Sequence, residues 1–226
     1  MTRNSRYTPG MLGHQLGNGI LARNPVLVAA MGMCPVVAAG VTLKNGVALS
    51  ILLGALLVPS CVLSSVLYRR LPRWLRTPAL VMGAAVLYAG AAWALSRMTY
   101  NMPAALGIYA PIMVVNSIVI SRSEQFAARH TVLPALTDAV SSALGFSVVV
   151  CFCSAVRELL AFGTLWGKTV LSGYQSISAV ALPCFGFVIL GYLAAAVKGI
   201  RRKRERRRKK RLRATVPETG RKEDAE

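Results

Sequence analysis

One thiol of this chain lies directly before a proline in an apolar stretch. In MGMCPVVAAG (residues 31–40), Cys34 precedes Pro35, and every other residue is apolar or small. Proline removes a backbone donor and interrupts a helix. In a membrane, an interrupted helix persists only where protein or a cavity satisfies the freed backbone groups. The stretch therefore predicts a broken segment that faces other protein, with Cys34 at the break. There, convergent backbone dipoles could stabilise a thiolate that binds a metal or a cluster.

A second stretch repeats this arrangement. In YAPIMVVNS (residues 109–117), Pro111 interrupts an apolar segment, and Asn116 and Ser117 form the one polar pair of its core. Two interpretations remain open. The pair satisfies the backbone that proline frees, as polar residues do in membrane helices, or it lines a site opposite Cys34.

Other candidate residues have structural explanations. A free cysteine often packs as a small buried hydrophobe, and this also applies to Cys34. Residues two apart on a helix point about 200° away from each other, so Cys151 and Cys153 are expected to pack in the core. The five cysteines are an odd number, which does not indicate a disulfide framework.

Three acids lie between residues 24 and 200, namely Glu124, Asp138 and Glu158. All three fall near the predicted ends of apolar segments, where helix caps or ion pairs are expected. Glu158 is also a candidate for a cation path, since an ionisable residue within a membrane suggests function.

Composition identifies the elements that would position these residues. The 226 residues are 54% hydrophobic and 15% charged, with a mean hydropathy of +0.51, whereas soluble domains carry about 25% charged residues. We predict an all-α integral membrane protein. Six segments approach the length of about 20 apolar residues that spans a bilayer: residues 25–42, 46–68, 77–96, 103–121, 136–160 and 177–197.

Lysine and arginine counts orient these segments. With a cytoplasmic N-terminus, nine basic residues precede or connect spans on the inside and four on the outside, before the tail is counted. The positive-inside rule therefore predicts that both termini are cytoplasmic. We expect the protein in the inner (plasma) membrane. Residues 1–23 would form a cytoplasmic segment, and residues 24–200 the six-span domain.

The spans divide into two similar halves, about residues 24–97 and 98–200. The first segment of each half contains the proline interruption, and an odd number of spans per half gives the halves opposite orientations. Paired interrupted segments indicate inverted three-helix repeats with the working site at the midplane. Residues 201–226 would form a disordered cytoplasmic tail. It contains RRKRERRRKKRLR, with eleven of the chain's 27 basic residues, which favours anionic lipid rather than nucleic acid as its partner.

Three motifs resemble one known family: NPVLVAAMGMCP (residues 24–35), NSIVISRSEQFAA (116–128) and SAVRELLAFGTLWG (154–167). The family includes the E-type subunit of the Rnf electron-transport complex and the D-type subunit of the sodium-translocating NADH:quinone reductase. The resemblance implies a non-autonomous subunit of an ion-translocating ferredoxin:NAD+ oxidoreductase. It also implies a homologous partner of inverted topology, and flavin-bearing and ferredoxin-like subunits. No glycine-rich nucleotide motif occurs here, so NAD and flavins are expected on the partners.

The same resemblance implies a 2Fe–2S cluster shared by the two homologous subunits. Cys34 matches the first ligand position of the family, whereas Ser117 occupies the second, which is cysteine in the family. Asn116 and Pro35 would shape the site beside these positions. Either Ser117 ligates directly, or the site is altered or empty, or another cysteine replaces it: Cys61, Cys151 or Cys153. A secondary carrier without a redox centre and a structural membrane anchor remain the alternative classes.

Overall fold

The computed structural model describes residues 25–67, 71–98, 106–170 and 178–215, and these are almost entirely helical. Four helices are long and apolar enough to cross a membrane. They are α3 (Leu43–Leu67), α4 (Arg73–Met98), α7 (Val132–Phe162) and α8 (Pro183–Thr215). The second, third, fifth and sixth predicted segments are thus continuous helices over most of their described length.

The first predicted segment consists of two short helices, α1 (Pro25–Ala29) and α2 (Met33–Ala39). Between them the backbone turns through positive φ angles, 53° at Ala30 and 71° at Gly32. The expectation that Pro35 makes the break was wrong. Pro35 lies in the first turn of α2, where a backbone N–H has no helical partner and proline costs little.

The second interrupted segment is built from α5 (Tyr109–Ile112), a 3₁₀ turn (Met113–Val115) and α6 (Ser117–Ser121). The chain leaves the helical conformation at Asn116, which is extended with φ −61° and ψ 133°. Here too the proline lies beside the interruption, because Pro111 falls inside α5. We call residues 30–32 the first break and residues 113–116 the second break.

The central helices α3 and α7 pack against each other in antiparallel directions. Leu43 contacts Glu158 near one end, and Ser50 lies beside Cys151 further along. Between these points Gly46 gives room for α7, since a Cβ there would lie 2.6 Å from the Ser154 hydroxyl oxygen. The core is largely aliphatic, and its fully buried side chains on α3 recur at helical spacing: Leu49, Leu53, Leu56 and Leu57.

A hairpin follows α7. The helix ends at Gly163, which has φ 65° and donates its N–H to the carbonyl of Leu159 at 3.0 Å. Strands β1 (Thr164–Leu165) and β2 (Lys168–Thr169) then pair antiparallel. Their two connecting residues both have positive φ, as a tight hairpin turn requires.

A 3₁₀ turn (Ser178–Ala181) leads into α8, whose first residue is Pro183. The helix does not end where its apolar residues end, and it continues to Thr215. Residues 201–215 are therefore helical where the sequence predicts a disordered tail. Arginine and lysine are good helix formers, and an existing helix removes the cost of nucleation.

Candidate functional site

The two breaks meet in the folded chain. The backbone N–H of Gly32 donates to the hydroxyl oxygen of Ser117 at 2.9 Å, across 85 residues of sequence. Gly32 precedes the N-terminus of α2, and Ser117 is the first residue of α6. The contact thus joins Ser117, a candidate residue of the second segment, to a glycine two residues before the candidate Cys34 of the first.

Glycine is required at the meeting point for two reasons. Its φ of 71° is a conformation that other residues rarely adopt. A Cβ at Gly32 would also lie 2.7 Å from Cδ1 of Ile118 and 3.1 Å from Oδ1 of Asn116. The two breaks can approach each other this closely because residue 32 is a glycine and has no side chain.

Asn116 satisfies the backbone of the second break. Its Oδ1 accepts the N–H of Ile118 at 3.0 Å and so caps α6, while its Nδ2 donates to the sulfur of Met113 at 3.2 Å. The side chain is buried, with 5% of the residue exposed. Asn116 therefore performs the local role that its sequence position allowed, directly beside Ser117.

Cys34 and Ser117 are both exposed on the outer surface of the chain, whereas Pro35 is buried. Cys34 is the second residue of α2 and lies two residues after Gly32, whose N–H contacts Ser117. Their exposure leaves the sulfur and the oxygen accessible to another protein chain.

Cys34 and Ser117 supply two donors of kinds that a cluster could use. Cys34 supplies a thiol suited to iron. Ser117 supplies an oxygen whose N–H partner, from Gly32, would stabilise a negative charge on it. Among the described residues, no group of three or more histidines, cysteines or acids could hold a metal ion.

The other cysteines that could replace Ser117 have different surroundings. Cys61 is buried and lies 3.7 Å from the Ser123 hydroxyl, and Cys151 lies 3.9 Å from the hydroxyl of Ser50. Cys153 is buried on α7, which is unbroken at this point. Cys184 is exposed as the second residue of α8.

A buried arginine is a residue whose role the sequence analysis did not predict. Arg157 is one of the four basic residues assigned to the outside, and only 1% of it is exposed. Its guanidinium donates to the carbonyl oxygens of Val37 at 2.6 Å, Ala181 at 2.9 Å and Leu182 at 3.1 Å. Longer contacts reach Gly40 and Val180, both at 3.4 Å.

Arg157 thereby joins the C-terminal end of α2, which carries Cys34, to the turn that precedes α8. The carbonyl of Val37 lies in the last turn of α2, where carbonyl groups lack helical partners, whereas that of Leu182 also accepts the N–H of Phe185 at 3.2 Å. A positive charge is also favourable at a helix C-terminus. One sequence feature could have predicted this role: Arg157 lies within the last two turns of an apolar helix.

Glu158 is buried as well, with 2% exposed. Its carboxylate accepts the N–H of Leu43 at 2.6 Å, at the start of α3, and the N–H of Gly167 at 2.9 Å in the hairpin. The Thr164 hydroxyl contributes a longer bond of 3.4 Å. Glu158 is therefore a cap of the kind the sequence suggested, although it lies inside the protein and not at its edge.

The remaining acids also have partners. Asp138 forms an ion pair with Arg122 at 3.4 Å, and Glu124 accepts a hydrogen bond from the hydroxyl of Thr77. Both arrangements agree with the expectation of caps and ion pairs near segment ends.

The fold and site define a class: a helical membrane protein in which two interrupted helices meet at a backbone N–H and an exposed hydroxyl, with an exposed thiol two residues along the chain. Residues 13–194 match the family described as "Rnf-Nqr subunit, membrane protein". The chain belongs to the Rnf-Nqr family of membrane subunits.

Similar proteins include the E-type subunit of the Na(+)-translocating ferredoxin:NAD(+) oxidoreductase complex of Acetobacterium woodii. It is 31% identical over 183 residues, covering 80% of this chain and 93% of the relative. The E-type subunit of the ion-translocating oxidoreductase complex of Shewanella loihica is 32% identical over 84% of this chain and 88% of its own length. Its counterpart in Shewanella oneidensis is 31% identical over 89% of both chains.

Proposed function

We propose that this chain is a membrane subunit of an ion-translocating ferredoxin:NAD+ oxidoreductase complex. Within it, the chain and a homologous partner subunit of inverted topology would hold a 2Fe–2S cluster between them. The bond from Gly32 to Ser117 supports this proposal, because it holds one family ligand position, Ser117, against the backbone two residues before the other, Cys34. Family membership and relatives named as subunits of such complexes support it.

The proposed architecture has six crossings in two inverted repeats. Thr77 near the start of α4 and Asp138 near the start of α7 both contact the region of residues 122–124. The starts of α4 and α7 therefore lie at the same end of the fold. Because α4 runs from that end toward Met98, the chain must cross back before it reaches Arg122. The interrupted segment of α5 and α6 provides this return, and α1 with α2 would provide the corresponding crossing of the first half.

When bound, the cluster would supply one-electron transfer through the membrane. The chain's own residues would bind and orient it. Cys34 would provide a thiolate, Ser117 an oxygen ligand held by the Gly32 N–H, and Asn116 would fix the backbone beside them. NAD, flavins and ferredoxin-like centres would belong to other subunits. Both termini would lie on the cytoplasmic side of the inner membrane, with residues 201–204 at anionic lipid head groups.

Iron content and low-temperature EPR of the reduced, assembled complex test this proposal. We expect a 2Fe–2S signal that is lost in Cys34→Ala and shifted in Ser117→Cys. Cys184→Ala is a matched control, since Cys184 is likewise an exposed second residue of a helix, and it should leave the signal unchanged. An intact complex without iron would refute the redox role, and the carrier or anchor alternatives would then be preferred.

A further inference from the structure

The C-terminal part of α8 extends as a helix well beyond the apolar span. Helix α8 has 33 residues, and the 15 residues after Ile200 add about 22 Å at 1.5 Å per residue. Residues 201–213 comprise eleven basic residues, one glutamate and one leucine, and thus a net charge of +10. We call residues 201–204 the proximal basic turn and residues 206–213 the distal basic helix.

The distal basic helix is unsuited to lying on a membrane. Helices that lie in the interface bury an apolar face, and Leu212 is the single large apolar residue of this segment. No proline or glycine occurs between Gly199 and Thr215, and the helix runs unbroken through this range. The segment therefore continues in the direction of the span and leaves the bilayer surface.

Distance then separates the two basic parts. Arg206 is six residues beyond Ile200, a rise of about 9 Å, whereas charges are screened over about 8 Å at physiological ionic strength. The proximal basic turn lies within reach of lipid head groups, but most of the distal basic helix does not. Among the described side chains of this region, Arg202, Lys203 and Arg206 are exposed.

A helix of this charge density requires a negatively charged partner. Like charges four residues apart destabilise a helix, and the distal basic helix has seven basic residues in eight positions. It contains neither an aromatic residue for base stacking nor an amide side chain for base recognition. A protein with an acidic surface matches it through charge alone, and such pairing mainly accelerates association.

We propose that the distal basic helix is a docking surface for a small soluble electron-carrier protein with an acidic surface. This inference rests on the proposed function, in which the complex receives electrons from such a carrier. The rigid continuation of α8 would hold the carrier near the membrane surface, where the redox subunits lie. Its positive field would raise the rate of encounter, and salt would weaken this effect.

The test replaces four charges in each part by glutamine, which keeps helix propensity. The distal variant is R207Q/R208Q/K209Q/K210Q, and the matched proximal control is R201Q/R202Q/K203Q/R204Q. The full complex, in neutral phosphatidylcholine vesicles, is driven by reduced acidic ferredoxin or by reduced methyl viologen, a small cation. NADH formation is measured, and each NADH consumes NAD+, one proton and two electrons from two one-electron donors.

We expect the distal variant to lower the ratio of the ferredoxin-driven to the viologen-driven rate about tenfold at low salt. The difference should vanish at high salt, and the proximal control should change the ratio far less. An unchanged ratio and salt dependence in the distal variant would overturn the proposal. So would an effect confined to vesicles with anionic phosphatidylglycerol, or loss of co-purifying RNA with an unchanged ratio.

Failure of the proposed function would be visible separately. If the wild-type complex formed no NADH even with methyl viologen, the proposed function would be refuted. Sedimentation of acidic ferredoxin with the vesicles would still report on docking. Salt-sensitive binding that the distal variant loses would support the docking surface, and equal binding by both variants would refute it.

Discussion

The Arg157 contacts allow a prediction with a calculable size. We expect Arg157→Met to destabilise the protein strongly, because methionine keeps much of the side-chain length but donates no hydrogen bond. Three carbonyl oxygens lie within 3.1 Å of the guanidinium, those of Val37, Ala181 and Leu182. Those of Val37 and Ala181 would lose this donor in a place where the arginine itself is only 1% exposed, whereas that of Leu182 would keep the N–H of Phe185.

The magnitude follows from the cost of unsatisfied groups. Leaving a buried acceptor without its partner costs about 1–3 kcal/mol, so two acceptors give about 2–6 kcal/mol. Removing a buried charge also removes its desolvation cost, which offsets part of this loss. We therefore expect a loss of about 3 kcal/mol in the free energy of unfolding. For a chain of this size, that corresponds to a fall of roughly 10 °C in Tm.

The assay is thermal unfolding of the detergent-solubilised complex, together with the rate at which a maleimide labels Cys34. Because Arg157 binds the end of the helix that carries Cys34, its loss should loosen α2 and change the labelling rate. Arg122→Met is the matched control. Its ion pair with Asp138 is partly exposed, and such pairs contribute about 0–1 kcal/mol.

The comparison of the two arginines can refute the reasoning. If Arg157→Met were no less stable than Arg122→Met, the carbonyl contacts would not stabilise the fold. An unchanged labelling rate in a destabilised Arg157→Met protein would mean that the contact with Val37 does not control α2. Arg157→Lys should be intermediate, because an ammonium has fewer donors and cannot reproduce the planar arrangement of the guanidinium.

Three further changes test the site. Gly32→Ala should lower the free energy of unfolding by about 2 kcal/mol, because it combines φ strain with a steric clash. Gly107→Ala is the control for strain alone, since Gly107 has φ 50° and no described atom within 4 Å of an added Cβ. Equal Tm values for the two variants would contradict the close contact at Gly32. Asn116→Ala should cost about 1 kcal/mol through loss of the cap of α6, measured as a lower Tm, and an unchanged Tm would argue against that cap. Glu158→Gln should lower Tm and leave ion transport per assembled complex unchanged, whereas a stable complex that transports no ion would assign Glu158 to the ion path.

Much of this molecule could be predicted from local sequence. Runs of apolar residues placed the four continuous helices, and Pro111 indicated the second interrupted segment. The family motifs gave the correct family. The helical continuation to Thr215 was also locally encoded, because arginine and lysine favour helix and no breaker follows Gly199. The prediction of a disordered tail from residue 201 did not take this propensity and continuity into account.

The exact positions of the breaks were harder to predict, because proline is a strong local signal and drew attention to Pro35 and Pro111. Both prolines are accommodated within helices close to the breaks. The first break depends on the positive φ angles of Ala30 and Gly32. Tertiary structure decides this conformation, since the close packing of Gly32 against Ile118 and Asn116 excludes a regular helix with a side chain there.

The sequence by itself determined the membrane class, the long helices, the family and the residues that could serve as ligands. Only the tertiary structure brought Gly32 to Ser117, and only it surrounded Arg157 with carbonyl oxygens from two distant segments. The physical reason is that helix propensity and hydrophobicity belong to side chains, which a sequence displays. Backbone N–H and C=O groups are nearly the same at every position, so the sequence does not show which of them a distant side chain will bind.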